Sequence, residues 1–262
     1  MKLSIVMPVK DEGVNLPVIL KILAAVVDVP HEILVVHDTP QDNTVPVVRA
    51  MQARYPAIRL VHNTLGRGVA NAIQAGVAQA AGEYVLMFAV DDTGPALAID
   101  EMLALMDGGC DLVSCTRYAR GGRRLGGSLV GHALSRLANW LFRRVAGCVL
   151  TDATTGIKMI RRSAFDRLPM DATSAGWVVA FELAIRAQLA GLRLGEVPII
   201  SIDRLFGGTS TFALGPWFLG YLKWFAWAVP RLRATPHPQR DPVTLAVGQA
   251  ADDIAAVDHV PA

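Results

Sequence analysis

Short apolar runs alternate with longer stretches of helical spacing over the first half of the chain. Residues 3–7 form an apolar run closed by Pro8, which predicts a strand. Residues 15–27 place Leu16, Ile19, Leu20 and Leu23 on one helical face. A second strand is expected at 32–36. A helix follows from Thr44, a residue able to cap it, to about Tyr55, with Pro46 tolerated in its first turn. Strands at 58–61, 84–88 and 111–114 alternate with helices at 69–80 and 95–106. This order predicts an α/β fold with a mostly parallel sheet covered on both faces.

Beyond Arg117 the pattern changes. Gly121-Gly122 and Gly126-Gly127 bracket a basic loop, and 128–145 reads as an amphipathic helix with Leu134, Leu137, Leu141 and Val145 on one side. Another helix is expected at 176–189. Residues 193–203 read as one long strand or a strand pair, with Pro198 pointing to a sheet edge. Residues 235–262 carry Pro236, Pro238 and Pro242 and no aromatic residue, and are expected to be a disordered tail. The organisation expected is one large domain over 1–213, an aromatic amphipathic helix over 214–234, and the tail.

With 52% hydrophobic and 18% charged residues among 262, wholesale disorder is excluded. A net charge of +2 excludes a generally basic nucleic-acid binder. The charge is unevenly placed, however. From 112 to 151 there is no acidic residue, whereas Arg117, Arg120, Arg123, Arg124, Arg136, Arg143 and Arg144 all lie there. Such a stretch suits phosphates or an anionic membrane surface. Cys110, Cys115 and Cys148 have no zinc spacing and are odd in number, which fits a reducing cytoplasm. The opening apolar run is broken by Pro8 and followed by Lys10, Asp11 and Glu12, so it reads as a buried strand rather than a targeting segment.

In open parallel sheets, ligands bind beyond the carboxyl ends of the strands. Polar residues collect there in successive loops: Lys10, Asp11 and Glu12; His37 and Asp38; Asp91 and Asp92; Arg117. Gly66 and Gly68 precede a helix and would let backbone approach a phosphate. The dinucleotide fingerprint G-x-G-x-x-G fails, because position 71 is Asn, so a nicotinamide enzyme is disfavoured.

The segments SIVMPVKDEGVNLP, ILVVHDTPQDNT, GRGVANAIQAG and YVLMFAVDDTGP resemble, in order, the opening of family 2 glycosyltransferases with the GT-A fold. DLVSCTRYARGG, TDATTGIKMIRRSAF and GLRLGEVPIISIDRLFGGTSTF resemble the polyprenyl-phosphate mannose or glucose synthase branch. There are departures. Lys10 replaces an aromatic residue, His37 a carboxylate, and Ala89 the first Asp of the metal motif D-x-D. Ile157 and Lys158 stand where Phe-Arg is common, and Thr211 replaces a basic residue.

The resemblance implies an inverting hexosyltransferase that uses a nucleotide diphosphate sugar. Pro8, Val9, Glu12, Asp38, Gly68 and Asp91 would hold the donor, with Asp91 bridging a Mg or Mn ion. Arg117 and Arg204 would hold the phosphate of a polyprenyl-phosphate acceptor. A lipid phosphate needs no base. If the acceptor is instead a sugar hydroxyl in polysaccharide or glycan synthesis, Asp152 is the candidate base. A degenerate, non-catalytic nucleotide-sugar-binding domain is the third reading. No signal peptide or transmembrane helix is expected. Trp217, Phe218, Tyr221, Trp224, Phe225 and Trp227 suggest a helix lying in the membrane interface, on the cytoplasmic face.

Overall fold

The computed structural model describes residues 1–126, 129–202 and 214–245. A seven-stranded sheet runs in the order β3-β2-β1-β4-β7-β5-β8. Its strands are β1 (Leu3–Val9), β2 (His31–His37), β3 (Ile58–His62), β4 (Tyr84–Met87), β5 (Leu112–Thr116), β7 (Lys158–Arg161) and β8 (Leu194–Pro198). β6 (Arg123–Leu125) and β9 (Ile200–Ile202) pair separately as a two-stranded parallel ribbon.

The expected parallel half is present: β1 pairs with β2 and β4, and β2 with β3, all parallel. Side chains alternate between two cores. Val6, Leu34, Val36, Val85 and Met87 face one, while Ile5, Met7, Ile33, Val35 and Leu86 face the other. Helices α1 (Leu16–Val26), α2 (Thr44–Met51) and α4 (Ile99–Asp107) cover the second core. The first lies under α3 (Val69–Gln79), α5 (Leu129–Ala146), α7 (Val178–Leu189) and α8 (Leu214–Ala234). Burial on both faces explains why these strands read as continuous apolar runs.

Three elements escape the sequence pattern: β6, β7 and the one-turn helix α6 (Arg162–Phe165). β7 matters most, because it runs antiparallel between β4 and β5. An antiparallel strand starts where its parallel neighbours end. Residues 151–157 are thereby delivered to the edge at which β4 and β5 finish. Of the two readings of 193–203, two strands form rather than one long one, β8 and β9, and Pro198 does lie in the edge strand β8.

Two expectations need correction. The tail does not begin at Thr235. Val243 bridges Gly195 in parallel fashion; its amide donates to the Leu194 carbonyl, and the Glu196 amide donates to its own. Gln239 Oε1 accepts from the Leu194 amide at 2.8 Å, and His237 Nε2 lies 3.0 Å from the Leu192 carbonyl. Residues 235–245 thus form a strap on the exposed side of β8, where an unpaired edge would otherwise face solvent. The remainder of the expected tail, 246–262, lies outside the described residues.

The aromatic helix is the second correction. Trp224 is 5% exposed, and Tyr221, Phe225 and Trp227 pack on the same core. Phe225 meets Phe142 of α5, and Tyr221 meets Phe181 of α7. The Arg186 guanidinium lies 5.0 Å from the Trp224 ring and 5.6 Å from that of Trp227. This stripe is core packing, not a membrane face; the side chains of Trp217 and Phe218 lie outside the described residues. Among the described residues no helix is long and apolar enough to cross a membrane.

Candidate active site

The loops after β1 and β2 are stitched together. Asp42 accepts the Asp11 and Thr44 amides, Thr44 Oγ1 accepts the Glu12 amide at 2.9 Å, and Asn43 Oδ1 accepts that of Gly13. Asp11 adopts a positive φ of 59°, a conformation held by these bonds. Glu12 carries part of the turn into α1: its carboxylate accepts from Asn15 Nδ2 at 2.7 Å. Pro8 and Val9 lie on β1 beyond the reach of β4, whose register stops at Val6. Pro8 can sit inside this sheet because no strand needs its missing donor there.

Asp38 is drawn into the next loop. Its two oxygens accept from Asn63 Nδ2 at 2.7 Å and from the Gly68 amide at 2.9 Å. Gly68 has φ 121°, a conformation that favours glycine, and begins α3. The amide expected to meet a phosphate is therefore engaged by Asp38. His37 stacks on His62 with ring centroids 5.2 Å apart, where relatives in the resemblance carry a carboxylate.

Asp91 and Asp92 follow β4 and diverge in role. Asp92 accepts from Ser201 Oγ at 2.7 Å and from the Ile202 amide at 3.3 Å. Asp91 is partly exposed and does not cap the following helical turn, whose first residue is preceded by Thr93. Among the described residues no group of three or more His, Cys, Asp or Glu side chains could cage a metal ion. One carboxylate does fit a cation that arrives on a diphosphate, since Mg²⁺ commonly uses one or two carboxylates plus substrate phosphates.

The densest chemistry lies after β5. Arg117 and Asp152, singled out separately in the sequence, form one buried pair. Nε donates to Oδ2 at 2.7 Å and Nη2 to Oδ1 at 2.9 Å. The Arg117 amide adds a third bond, and Thr154 donates to Asp152 through its amide and its hydroxyl. Burial alone would raise the Asp152 carboxyl, but the Arg117 charge and hydrogen bonds, with Lys158 beyond, hold it below its ordinary value. A carboxylate so saturated is ill-suited to taking a proton. Arg117 keeps Nη1 without an acceptor among the described residues, and the guanidinium lies 5.2 Å from the Tyr118 ring. Arg204 lies outside the described residues.

Support for this pair was missed in the sequence. Asn139 of α5 accepts the Ala153 amide and donates to Thr154 Oγ1. Glu196 of β8 accepts from the Thr151 amide, the Thr151 hydroxyl and the Asp152 amide. Lys158 is fully buried at the start of β7 and donates to Ser114 Oγ at 2.7 Å. Desolvation pushes its ammonium down to about 8 although Asp152 and Glu196 oppose this. Glu196 belongs to the E-V-P motif, but only its contacts show what it holds.

Burial pushes the Glu196 carboxyl up to about 7, against the hydrogen bonds from Asp152 and Thr151. Its folded value lies above the unfolded one. The stability it contributes is therefore complete below the unfolded pKa of 4.5 and lost as pH rises through about 7. Urea midpoints are expected to fall between pH 5 and 8 by an amount equivalent to at most about 3 kcal/mol, and Glu196→Gln to flatten that slope. An unchanged slope in the Gln variant would remove Glu196 as its source.

Comparison with known proteins agrees with this layout. Residues 4–168 match Glycosyl transferase family 2. The chain is 24% identical over 203 residues to a dolichol-phosphate mannosyltransferase of Mycosarcoma maydis, covering 74% of this chain and 68% of that one. It is 28% identical over 166 residues to an undecaprenyl-phosphate 4-deoxy-4-formamido-L-arabinose transferase of Yersinia enterocolitica, covering 62% of this chain and 49% of that one. The chain thus spans about two thirds and about half of these relatives' lengths. Among solved structures, it superposes on glucosyl-3-phosphoglycerate synthase from Mycobacterium tuberculosis bound to Mn²⁺, UDP-glucose and phosphoglyceric acid. The TM-score is 0.64 at 18% identity, over 90% of this chain and 81% of that one. The same synthase with Mg²⁺ and UDP gives 0.62 at 19% identity, over 91% of this chain and 80% of that one. These likenesses show the GT-A fold, and the family match covers more than half of the chain: it belongs to glycosyltransferase family 2 and is a glycosyltransferase.

Proposed function

We propose that the chain moves a hexose from a nucleotide diphosphate sugar to a polyprenyl phosphate, with inversion. The observation that carries this reading is the state of Asp152. A hydroxyl acceptor must lose its proton to a base. The carboxylate at this position accepts five hydrogen bonds and is held ionised by Arg117. A phosphate acceptor is already anionic and needs only a cation to position it. Arg117 is that cation, fixed in direction by Asp152. The names of the two curated relatives, with their dolichol and undecaprenyl phosphates, support the same acceptor class.

In this reading a phosphate oxygen of the acceptor attacks the anomeric carbon. The bond from that carbon to the nucleotide diphosphate breaks, and the diphosphate leaves with the electron pair. A single displacement inverts the centre. Asp91 would hold a Mg or Mn ion whose charge offsets that of the leaving diphosphate. Asp38, Glu12, Pro8, Val9 and Gly68 border the donor side.

Incubation of the purified chain with a panel of nucleotide sugars and Mn²⁺ or Mg²⁺, with and without polyprenyl phosphate, tests the proposal through nucleotide release. Release is expected to need the lipid phosphate and to fall at least tenfold with chelator or in Asp91→Ala. Release only with sugar acceptors would favour polysaccharide or glycan synthesis. Binding of a nucleotide sugar with no release under any condition would favour a non-catalytic domain.

A lipid acceptor calls for membrane contact, and α5 supports a different anchor from the aromatic helix. Leu134, Leu137, Trp140 and Leu141 are 60%, 51%, 56% and 39% exposed, while Asn139, Phe142 and Ala146 face inward. Arg144 lies over the Trp140 ring, and no acid occurs on the segment. An apolar face flanked by arginines suits the headgroup region of an anionic bilayer, at the cytoplasmic face in this proposal. Flotation with phosphatidylglycerol vesicles at low salt is expected to recover the chain, and Leu137→Gln/Trp140→Gln to lower recovery severalfold. Equal recovery of that variant would rule α5 out.

A further inference from the structure

We infer that Asp92 is a positioning residue that fastens the loop after β4 to the β6–β9 ribbon, so that the donor side and the acceptor side of the site move as one. The inference rests on the proposed function for the naming of the two sides. Its physical content is a set of contacts between segments more than a hundred residues apart.

Asp92 directly follows Asp91. One of its oxygens accepts the Ser201 hydroxyl at 2.7 Å and the other the Ile202 amide at 3.3 Å. Ser201 is 5% exposed, so the first of these is a charge-assisted bond shielded from water, the stronger kind. Two residues on, Gly94 lies flat against the same strand: a Cβ there would sit 1.9 Å from the Ile200 carbonyl oxygen. Backbone and carboxylate together press the post-β4 loop onto β9.

β9 is in turn locked to the other side. Its residues pair with Arg123, Arg124 and Leu125 of β6. The Ile199 carbonyl accepts the Arg123 amide at 2.8 Å, and the Ile199 amide donates to Thr116 at 2.9 Å. Thr116 is the last residue of β5 and precedes Arg117. Hydrogen bonds at either end of the short 199–202 backbone therefore link the residue beside Asp91 to the residue beside Arg117. A hydrogen-bonded network of this kind can carry coupling between two sides of a site.

Hydrogen exchange of the full chain, with and without GDP or UDP and Mn²⁺, tests the link without needing an acceptor. Calorimetry on the same samples establishes which nucleotide is bound. In the wild type, bound nucleotide is expected to slow exchange at 88–92 and also at 123–125 and 199–202, severalfold in each. In Asp92→Ala and in Ser201→Ala, nucleotide affinity is expected to stay within about threefold, with protection confined to 88–92. Asp92→Asn keeps a carbonyl oxygen for Ser201 and is expected to restore most of the spread. The double variant Asp92→Ala/Ser201→Ala is expected to be no worse than either single one, as two ends of one bond require.

Ribbon protection that persists in Asp92→Ala overturns the inference. So does a wild type that binds nucleotide without protecting the ribbon. Loss of Mn²⁺-dependent affinity in Asp92→Ala, matching Asp91→Ala, would make Asp92 a metal ligand instead. If no nucleotide binds to the wild type, it is the donor-site reading that fails, and the unchanged resting exchange of the Ile202 amide in Asp92→Ala would separately refute the fastening.

Discussion

Arg117→Ala is expected to abolish transfer to polyprenyl phosphate and to destabilise the fold by about 3–5 kcal/mol, because it strands a buried charge. Asp152 is fully buried, and two of its five hydrogen bonds come from the guanidinium. For a chain of this size the loss corresponds to a fall in Tm of roughly 6–20 °C. Removing both charges should behave differently. Arg117→Met/Asp152→Asn removes both members of the pair, so neither is left as an unmatched charge, and it keeps an amide oxygen for the backbone amides of positions 117 and 154. It is expected to regain more than half of the lost stability while remaining inactive. Thermal melts and transfer assays on the two variants separate the structural role of the pair from its chemical one. An Arg117→Ala protein as stable as the wild type would show that Asp152 is not the buried partner described. A fully active one would remove Arg117 from the acceptor site.

The second large effect concerns the strap. A chain ending at Ala234 loses the two backbone bonds of Val243, both bonds of Gln239 to Leu194 and the His237 contact. The ion pair of Asp241 with Arg143 goes too, as do the apolar contacts of Val243 and Leu245. At about 0.5–1.5 kcal/mol for each of these five hydrogen bonds, a loss of about 2.5–7.5 kcal/mol is expected. A chain ending at Leu245 keeps every one of these contacts and is the control. Glu196 neighbours the damage, since its amide donates to Val243 and its carboxylate holds Thr151 and Asp152. The shorter chain is therefore expected to lose transfer as well as stability. Equal denaturant midpoints for the two chains would mean that the strap contributes nothing.

Much of this architecture was legible because both sheet faces are covered. The strands β1, β2, β4 and β5 are mostly apolar and almost wholly buried, and the helices between them keep a 3.6-residue stripe. β7 was not legible. Its four residues, KMIR, begin and end with a cation, and nothing local shows that Lys158 is buried against Ser114. The strap was missed for a related reason: it bonds through backbone and single side chains such as Gln239, which leave no periodic trace. The aromatic stripe of α8 gave a true amphipathic signal with the wrong partner, since a core and a bilayer select the same residues. Arg117 and Asp152 were each picked out, but as an acceptor ligand and a base. Their pairing across 35 positions appears only once β7 turns the chain back. That pairing supports the charge-positioning role expected for Arg117 over the alternative in which Asp152 removes a proton.

The reversed direction of β7 also sets an order for events at the ribosome. β4 ends at Met87 and β7 starts at Lys158, so 70 residues are made in between. At about 5–20 residues per second, the nascent sheet keeps the unpaired edge of β4 for roughly 4–14 s. β5 is synthesised within that interval and runs parallel to β4 in the finished sheet, with the place between them still empty. A premature β4–β5 pairing would close the gap before its proper occupant emerges. Newly made chains are thus most exposed to misassembly between the synthesis of residue 116 and that of residue 161, and a synonymous-codon pause placed there is the perturbation to which their yield should respond most.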